Sequence, residues 1–421
     1  MNQNELCFDS AEILLPDPKQ IDLTRWAVVA CDQYTSEREH WEETQHIVGD
    51  APSTLNLILP EVYLAEAEER TPLINRAMER SLAEHLVAYG DAMIYLERTQ
   101  SDGSIRHGLL GAVDLEAYDY KKGATTPIRA TEGTVLERIP PRVAIRRGAT
   151  LELPHVMLLI DDPARTVIEP LTAALANTAP LYDFDLMQGG GHVRGVLLNK
   201  NQQRDVKTAL SALADPSAMQ ARYGAAFPPL LFAVGDGNHS LATAKATYEE
   251  LKKNLGAAAL AHPARYALVE VVNLQDDALQ FEPIYRVIFG VDPAVVLTEL
   301  REEIATLKGN AAPQKATYVT QNSEGVLEIP TPTQQLTVGT LQQFLDAFVT
   351  RHPEAEVDYI HGEDSLRTLC RRPDAIGFLF EGMRKDELFP AVVFDGALPR
   401  KTFSMGHAAD KRYYLECRKI R

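Results

Sequence analysis

The chain has 421 residues, of which 45% are hydrophobic and 24% are charged. This composition is ordinary for a folded globular protein and excludes wholesale disorder. The formal net charge is -17, from 59 acidic and 42 basic residues. Because proteins that bind nucleic acid normally present a basic surface to the phosphate backbone, nucleic acid is disfavoured as the main partner.

Leader, membrane and cysteine patterns all favour the cytoplasm. The first residues, MNQNELCFDSAEILLPDP, lack the basic and then apolar segments of a secretion signal. No apolar run approaches the length of about 18 residues that a membrane span needs. The cysteines Cys7, Cys31, Cys370 and Cys417 have no CxxC spacing, which argues against a zinc site and a disulfide framework. We therefore expect a cytoplasmic protein without membrane contact.

The first part of the chain predicts helices and antiparallel strands. A strand, a turn and a helix are predicted by RWAVVACDQYTSEREHWEE, with Ser36 and Glu39 in capping-box spacing. Apolar residues recur every three or four positions between Pro60 and Tyr89, which indicates one long or two consecutive amphipathic helices. The Asp-Gly pair within Ser101-Asp102-Gly103-Ser104 lies between two apolar runs and predicts a hairpin.

The middle of the chain predicts a crossover. An apolar run, a helix, a second apolar run and a glycine-rich turn follow one another up to residue 240. The earlier turn at 189–194, GGGHVR, is readable as a flexible lid or as a simple hairpin. A polar stretch rich in Thr, Gln and Pro places a soft boundary near 290–310. We expect an α/β fold of α+β character, with a mixed sheet and helices in a main domain (1–300) and a smaller C-terminal α/β unit (301–421) packed on it.

The strongest local signal is Gly-Asp-Gly-Asn-His-Ser at 235–240, between a buried-looking run and a helix. Glycines permit positive φ and a close approach of the backbone to a ligand, and the N–H groups of the first helical turn can hold an anion. Asp236 can bind a metal ion or a hydroxyl, His239 can contact phosphate or move a proton, and Ser240 is a candidate N-cap. A turn in which Asp236 or Ser240 only caps the helix is the alternative. The inward stripe of the helix is predicted at Leu241, Ala244, Tyr248, Leu251 and Leu255.

A second cluster lies in PIRATEGTVLERIPPRVAIRRGA, which places Glu132 before several arginines. Clustered guanidinium groups in an acidic protein suggest recognition of phosphate or carboxylate. They also suit the solvated face of a helix, and we favour that interpretation for Arg146 and Arg147. Arg138 and Arg142 remain candidates for anion binding.

Other candidates follow the first strand and stand near the C-terminus. Asp32, Gln33 and Tyr34 occupy a usual position for site residues in α/β proteins. Cys31 as a nucleophile would define a thiol enzyme, but the segment offers no basic residue to lower the thiol pKa, so a structural thiol is favoured. Lys401 in LPRKTF has the chemistry to reach an anion, although a basic terminus is commonly only solvated.

The order of several segments resembles a bacterial family, the domain of unknown function number 1015. The segments are VVACDQYTSEREHWEE, STLNLILPEVYL, IRHGLLG, TEGTVLERIPPR, FAVGDGNHSLATAK, FEPIYRVI and LPRKTFSMG. Their Asp-Gly-x-His element is similar to the phosphate-binding turn of the ParB and sulfiredoxin fold, which occurs in CTP-binding partition proteins, sulfiredoxin and an ADP-dependent free serine kinase. The resemblance implies a ParB/sulfiredoxin-like core, while the family itself has no firmly assigned activity.

The resemblance to the kinase implies roles for individual residues. In that kinase an Asp-Gly-His-His-Arg turn cradles phosphates, and an upstream His-Glu supplies the base. Asp236, Gly237 and His239 match the turn, and Glu132 matches the base. The chain departs from the pattern where Asn238 and Ser240 replace the second His and the Arg, and where Thr131 precedes Glu132. The missing cation would have to come from Arg138, Arg142 or Lys245.

Together these features predict a nucleotide-dependent phosphotransferase or nucleotide hydrolase that acts on a small polar metabolite, with ATP or ADP and Mg²⁺ as cofactors. Asp236 positions the metal or the phosphoryl-accepting hydroxyl, Glu132 is the general base, and His239 assists. Two alternatives stay open: a non-catalytic regulatory protein that binds a nucleotide or metabolite, and a thiol enzyme using Cys31. A homo-oligomer is also left open. The predicted phosphate-binding residues are Gly235, Gly237, Asn238, Ser240, Arg138, Arg142 and Lys245.

Overall fold

The computed structural model describes residues 6–133, 139–223 and 228–421, which divide into two compact units. The first unit comprises the described residues of Met1–Ala130, Thr134–Leu279 and His407–Arg421. The second comprises Thr131–Gly133 and Gln280–Gly406. The sequence placed a boundary at 290–310, whereas the chain here enters the second unit at Gln280 and returns to the first unit for its last residues.

Strands and helices are numbered in chain order. The strands are β1 (Phe8–Asp9), β2 (Ala11–Pro16), β3 (Val28–Val29), β4 (Leu86–Ala92), β5 (Ile94–Thr99), β6 (Ile105–Asp114), β7 (Tyr118–Asp119), β8 (Ile128–Ala130), β9 (Leu151–Glu152), β10 (Met157–Ile160), β11 (Tyr182–Asp185), β12 (His192–Leu197), β13 (Phe232–Asp236), β14 (Tyr266–Asn273), β15 (Phe281–Phe289), β16 (Gln314–Thr320), β17 (Glu324–Ile329), β18 (Glu356–His361), β19 (Ala375–Leu379), β20 (Phe403–Met405), β21 (Tyr413–Tyr414) and β22 (Arg418–Lys419). The helices are α1 (Leu23–Trp26), α2 (Arg38–Val48), α3 (Ala67–Glu84), α4 (Ile139–Arg147), α5 (Glu169–Leu175), α6 (Lys200–Leu213), α7 (Pro216–Tyr223), α8 (Asn238–Leu255), α9 (Pro293–Thr306), α10 (Thr337–Arg351), α11 (Glu363–Leu369) and α12 (Lys385–Asp395).

A mixed sheet forms the centre of the first unit. Within the described residues its strand order is β11-β12-β5-β6-β14-β10-β13-β8-β7, and β1 also pairs with β6. β13 runs antiparallel to β10 and parallel to β8, while β10 runs parallel to β14. The predicted α/β class with a mixed sheet is therefore confirmed. The ParB/sulfiredoxin-like core stays a prediction.

Both faces of this sheet are buried. Successive side chains of a strand point to opposite faces. Ile94 and Leu96 belong to one apolar cluster, and Tyr95 between them belongs to the other. On β6 the neighbours Leu109 and Leu110 are divided in the same way. This double burial explains why the strands are continuous apolar runs rather than alternating patterns.

Both predicted turns between neighbouring strands are hairpins. β5 and β6 pair antiparallel from Thr99 and Ile105 onward, as the Asp102-Gly103 signal predicted. β11 and β12 pair antiparallel on either side of the glycines at 189–191. The second of the two readings of GGGHVR, a simple hairpin, is the one that the structure shows.

Two predicted helix ends are wrong. Helix α2 has Glu37 as its N-cap residue and no capping box, because the chain is still in a turn at Ser36. Helix α3 ends at Glu84, so the predicted helix up to Tyr89 is too long. Leu86 instead begins β4, which pairs with β2. Pairing with a distant strand overrides the local helical periodicity at that point.

The second unit has its own sheet. Among its described residues the strand order is β17-β16-β19-β15-β18, and β20 pairs with the first part of β15. Helices α9 to α12 belong to the same unit. Throughout the described ranges, no helix combines the length and the apolar character that crossing a bilayer would need.

Candidate functional site

The predicted glycine-rich turn joins β13 to α8. Gly235 and Asp236 end the strand, Gly237 has φ 78°, and α8 begins at Asn238. A Cβ atom at position 237 would lie 3.0 Å from the Cα of Val156. Glycine is therefore required at this position both for its left-handed conformation and for space.

Helix α8 begins without a side-chain cap from the described residues. The prediction of Ser240 as N-cap is wrong, because Gly237 is the N-cap residue and Ser240 lies inside the first turn. His239 lies beside it, and its carbonyl accepts a hydrogen bond from the Thr243 hydroxyl at 2.7 Å. The positive end of the dipole of this 18-residue helix faces the turn. Negative charge is stabilised at such a position.

Asp236 is held as a carboxylate at this turn. Its Oδ2 lies 3.1 Å from Nζ of Lys411, and its Oδ1 accepts a hydrogen bond from the Gly237 N–H at 2.8 Å. Burial alone would raise the pKa of Asp236. Lys411, and after it His155, more than offset that effect and lower the pKa. The turn therefore combines an ionised carboxylate with a lysine that the sequence analysis missed.

A chain of hydrogen bonds links the turn to Cys31, which follows β3. Ser240 Oγ lies 2.7 Å from His155 Nε2, and the Tyr414 hydroxyl lies 3.2 Å from His155 Nδ1. The same hydroxyl lies 3.0 Å from Cys31 Sγ and accepts a hydrogen bond from the Cys31 N–H. We call these four residues the histidine cluster. His155 is its centre and is 8% exposed.

One of the candidates that follow Cys31 lies beside the histidine cluster. Asp32 Oδ2 lies 3.8 Å from His155 Nε2. Gln33 donates to Asp32 Oδ1 at 3.2 Å, whereas the ring of Tyr34 stacks on His40. Asp32 therefore lies beside the histidine cluster, and Gln33 is connected to the cluster only by its hydrogen bond to Asp32. Tyr34 packs on a neighbouring helix instead.

The structure argues against Cys31 as a nucleophile. Burial, with Asp32 as the next contribution, raises the pKa of the Cys31 thiol to about 12. A thiol with that pKa is protonated at neutral pH, and the thiolate is the reactive form. Cys31 is better understood as a hydrogen-bonding member of the histidine cluster.

Slow alkylation of Cys31 is the expected consequence. At pH 7.5 a pKa of about 12 leaves about one thiol in 10⁴ to 10⁵ ionised, against about one in ten for an unperturbed cysteine. The rate of modification by iodoacetamide, followed by peptide mass spectrometry, measures this directly. The urea-unfolded protein provides the reference rate. Fast, selective modification of native Cys31 would restore the thiol-enzyme alternative.

The predicted phosphate-binding cations have other partners. Arg142 forms an ion pair with Glu61, and Lys245 contacts Glu249 at 2.7 Å and the Leu115 carbonyl at 2.9 Å. Arg138 lies outside the described residues. Arg142 and Lys245 are therefore not seen to supply the cation that the turn lacks in sequence, and the cation that contacts the turn is Lys411.

A cavity of about 190 Å³ lies on the flank of α8 and is lined by all four members of the histidine cluster. Two ion pairs also border it, Arg142 with Glu61 and Arg146 with Glu152. Most of the remaining lining is hydrocarbon. The apolar lining residues are Leu57, Ile58, Leu59, Leu64, Ile74, Met78, Ile145, Ala149, Leu151, Leu153, Pro154, Val156, Leu241, Ala244, Ala267 and Leu268.

The family can be assigned from the sequence as a whole. A family model described as "Protein of unknown function (DUF1015)" matches residues 14–348. The chain belongs to the DUF1015 family. No curated protein matches it in sequence.

Comparison with solved structures finds several chains weakly similar to this DUF1015 protein. A free serine kinase in complex with AMP is 11% identical with a TM-score of 0.37, over 73% of this chain and 91% of that chain. A conserved hypothetical protein from Pyrococcus furiosus is 10% identical with a TM-score of 0.35, over 74% and 94%. SbnI with a C-terminal truncation, from Staphylococcus aureus, is 12% identical with a TM-score of 0.34, over 70% and 82%. Likeness at this level does not bear on the activity of the DUF1015 protein.

Glu132 and Lys401 belong to the second unit of the DUF1015 protein, whereas Asp236 and the histidine cluster belong to the first. Glu132 forms an isolated β-bridge with Leu398. The fully buried Arg286 donates to the backbone carbonyls of Arg400 and Lys401, each at 3.1 Å. The second unit therefore holds the loop of Lys401 in place through a buried guanidinium.

Two basic side chains of this unit, Arg400 and Lys401, lie close to Tyr359. Arg400 Nε donates to the Tyr359 hydroxyl at 2.7 Å, and Lys401 Nζ lies 5.2 Å from the ring centre. Burial lowers the pKa of Arg286 to about 10, while Tyr359 and Glu132 oppose this effect. Lys401 has φ 53°, a strained value for a residue with a side chain. Glu132 and Lys401 thus share an electropositive neighbourhood.

Proposed function

We propose that the turn at 235–240 binds the phosphates of ATP or ADP and that the protein is a nucleotide-dependent phosphotransferase or nucleotide hydrolase. The observation that carries the proposal is the ion pair between Asp236 and Lys411 at the start of α8. A helix N-terminus favours an anion, and lysine is a common phosphate-binding residue. Lys411 supplies the cation that the related Asp-Gly-His-His-Arg turn draws from its arginine.

The donor set at Asp236 fits a magnesium ion that arrives with the nucleotide. Mg²⁺ is usually bound by one or two carboxylates together with substrate phosphates and waters. No group of three or more His, Cys, Asp or Glu side chains able to hold a metal occurs within the described residues. Asp236 would hold the ion through one carboxylate, which leaves Lys411 to contact phosphate. The bound ion would neutralise charge on the phosphates during transfer.

Glu132 is the general base that the family resemblance suggests. Its electrostatic interaction with the buried Arg286 of the same unit supports this role. If Glu132 acts as base, Glu132→Gln should retain nucleotide binding and lose about 10²- to 10⁴-fold in turnover. If wild type and variant both bind nucleotide and neither turns it over, the result would instead support a nucleotide-sensing regulatory protein.

Nucleotide binding is tested by thermal shift with ATP, ADP, CTP, GTP and pyrophosphate, each with and without Mg²⁺. A ligand at one hundred times its Kd stabilises the native state by about 2.7 kcal/mol, which gives a visible shift. We expect Asp236→Ala, His239→Ala and Lys411→Met to weaken binding at least about tenfold, because Asp236 would hold the magnesium ion and His239 and Lys411 would contact the phosphates.

Lys419→Met is the matched control for Lys411→Met. Lys419 lies in the same C-terminal segment and pairs with Glu12 at 3.7 Å, with 42% of its side chain exposed. It should bind nucleotide as wild type does. If no nucleotide stabilises the wild-type protein, or if Lys411→Met and Lys419→Met behave alike, the turn is not a phosphate site.

A further inference from the structure

The cavity on the flank of α8 is continuous with the proposed phosphate turn. Ser240 belongs to both, since it ends the turn at 235–240 and lines the cavity. Val156, which packs against Gly237, also lines the cavity. A molecule in this cavity would therefore lie next to a nucleotide bound at the turn.

The histidine cluster offers the hydroxyl of Ser240 to such a molecule. The Tyr414 oxygen accepts from the Cys31 N–H, and its own proton is directed to Cys31 Sγ. His155 Nδ1 lies 3.2 Å from the Tyr414 oxygen, and His155 Nε2 lies 2.7 Å from Ser240 Oγ. The oxygen of Ser240 keeps its capacity to accept a hydrogen bond from a ligand hydroxyl.

The charges around the cavity favour an uncharged ligand. Arg142 and Arg146 are both engaged in ion pairs, with Glu61 and Glu152. An anionic ligand group at Ser240 would also approach Asp32, whose carboxylate lies 3.8 Å from His155. A neutral hydroxyl needs no cationic partner and is not repelled by the Asp32 carboxylate. It can donate and accept hydrogen bonds without bringing charge into an apolar space.

A second polar contact is available on the opposite helix. The Oδ1 atom of Asn75, a residue of α3 that lines the cavity, is buried and has no hydrogen-bond partner among the described residues. A buried acceptor without a donor is costly. A ligand with a further donor group would remove that cost. The lining is otherwise hydrocarbon, so the body of the ligand should be apolar.

We propose that the cavity binds a neutral alcohol with a hydrocarbon body and that this alcohol is the phosphoryl acceptor. The transfer step rests on the nucleotide-dependent function proposed above. The alcohol oxygen forms a bond to the terminal phosphorus of the nucleotide, and the bridging P–O bond breaks with its electron pair on the departing nucleotide. The alcohol proton passes to the general base of that proposed function, while the Ser240 hydroxyl, held 2.7 Å from Nε2 of His155, positions the alcohol oxygen. This substrate class replaces the small polar metabolite that the sequence suggested.

Occupancy of the cavity is tested first without nucleotide, by NMR titration of the wild-type protein with four probes of similar size. The probes are benzyl alcohol, toluene, benzoate and benzylamine. We expect benzyl alcohol to bind best and the two charged probes to bind at least about tenfold more weakly, because they bring an ion into a largely apolar space. Tighter binding of benzoate or benzylamine than of benzyl alcohol would overturn the substrate class.

Three variants locate the binding. Ala244→Leu fills the cavity from α8, and we expect it to abolish binding of benzyl alcohol and toluene. Ala246→Leu makes the same change on the same helix at a residue that packs against Ile139, Val143 and Ala242 and is not part of the lining; it should bind both probes as wild type does. Ser240→Ala should weaken benzyl alcohol about three- to tenfold, the value of one hydrogen bond, and leave toluene unchanged.

The outcomes separate this inference from the proposed nucleotide function. If benzyl alcohol fails to bind wild type, or binds Ala244→Leu equally well, the cavity is not a ligand site. This conclusion holds whether or not ATP binds the protein. If the alcohol binds as expected but no nucleotide does, the cavity remains a site for alcohols and the phosphoryl-transfer role is overturned. If both bind, Ala244→Leu should retain ATP stabilisation and lose alcohol-dependent ADP release.

Discussion

Replacing Arg412 by leucine is expected to lower the free energy of unfolding of the first unit by about 3–5 kcal/mol. The guanidinium donates to Glu270 at 2.7 Å and to Glu416 at 2.6 Å, and each carboxylate is 1% exposed. Arg106, 3.5 Å from Glu270, remains in the variant. The loss is nevertheless large, because a buried charge without its partner keeps the full cost of desolvation.

Urea unfolding, followed by fluorescence and circular dichroism, measures this loss. Arg80→Leu is the control, since Arg80 forms an ion pair with Glu84 at the surface of the same unit and is 71% exposed. Its unfolding midpoint should stay close to that of wild type, because exposed ion pairs contribute little. A midpoint for Arg412→Leu equal to that of the control would show that the buried network does not stabilise the unit.

The pH dependence of this loss follows from the pKa of Glu270. Burial alone would raise that pKa, but Arg106 and then Arg412 more than offset it and lower it. A carboxyl with a lowered folded-state pKa contributes stability above its unfolded pKa and loses that contribution as pH falls through the folded pKa. Wild type should therefore lose stability on acidification below about pH 4.3. The deficit of Arg412→Leu should shrink there, because a protonated Glu270 no longer needs the arginine.

The same network connects stability to the candidate site. Arg412 is flanked by Lys411, which contacts Asp236, and by the strand that carries Tyr414 of the histidine cluster. Arg412 also donates to the Pro154 carbonyl, next to His155. Replacing Arg412 should therefore displace Lys411 at the turn and also His155 and Tyr414 in the histidine cluster. Weaker nucleotide binding in Arg412→Leu would be a consequence of position and not of direct contact.

Local features of the fold could be predicted from the sequence because their causes are local. The Asp102-Gly103 hairpin depends on neighbouring residues. The turn before α8 likewise carries its glycines within a few positions. The end of α3 could not be predicted, because β4 begins at Leu86 only through its pairing with β2. The α8 stripe was predicted at Leu241, Ala244 and Tyr248, which are buried, but Leu255 is 43% exposed because the helix extends past the core.

The candidate site likewise combines residues that a local sequence pattern identifies with residues that only the fold brings together. Asp236 could be found because the glycines beside it mark a tight turn between a strand and a helix. Ser240 and His155 are 85 residues apart, and His155 and Tyr414 are 259 apart. No spacing rule in one sequence connects residues so distant. The only local signal for His155 is a histidine placed directly before an apolar strand, and for Lys411 it is a basic pair close to two tyrosines.

Gly237→Ala is expected to destabilise the first unit by about 2–3 kcal/mol and to weaken pyrophosphate binding at least tenfold. Part of the loss is the left-handed conformation at φ 78°, which costs a residue with a Cβ about 1 kcal/mol. The rest comes from contact with the Cα of Val156 at 3.0 Å, a backbone atom that cannot move without shifting β10. Such a shift would also move His155 away from Ser240.

Gly123→Ala separates these two contributions. Gly123 has φ 79°, and nothing lies within 4 Å of the position its Cβ would take. The control should therefore lose only the conformational part, about 1 kcal/mol in urea unfolding, and should bind pyrophosphate as wild type does. Equal losses in the two alanine variants would mean that the close approach to Val156 does not constrain the turn. Equal pyrophosphate binding would mean that the shape of the turn at Gly237 is not what holds phosphate.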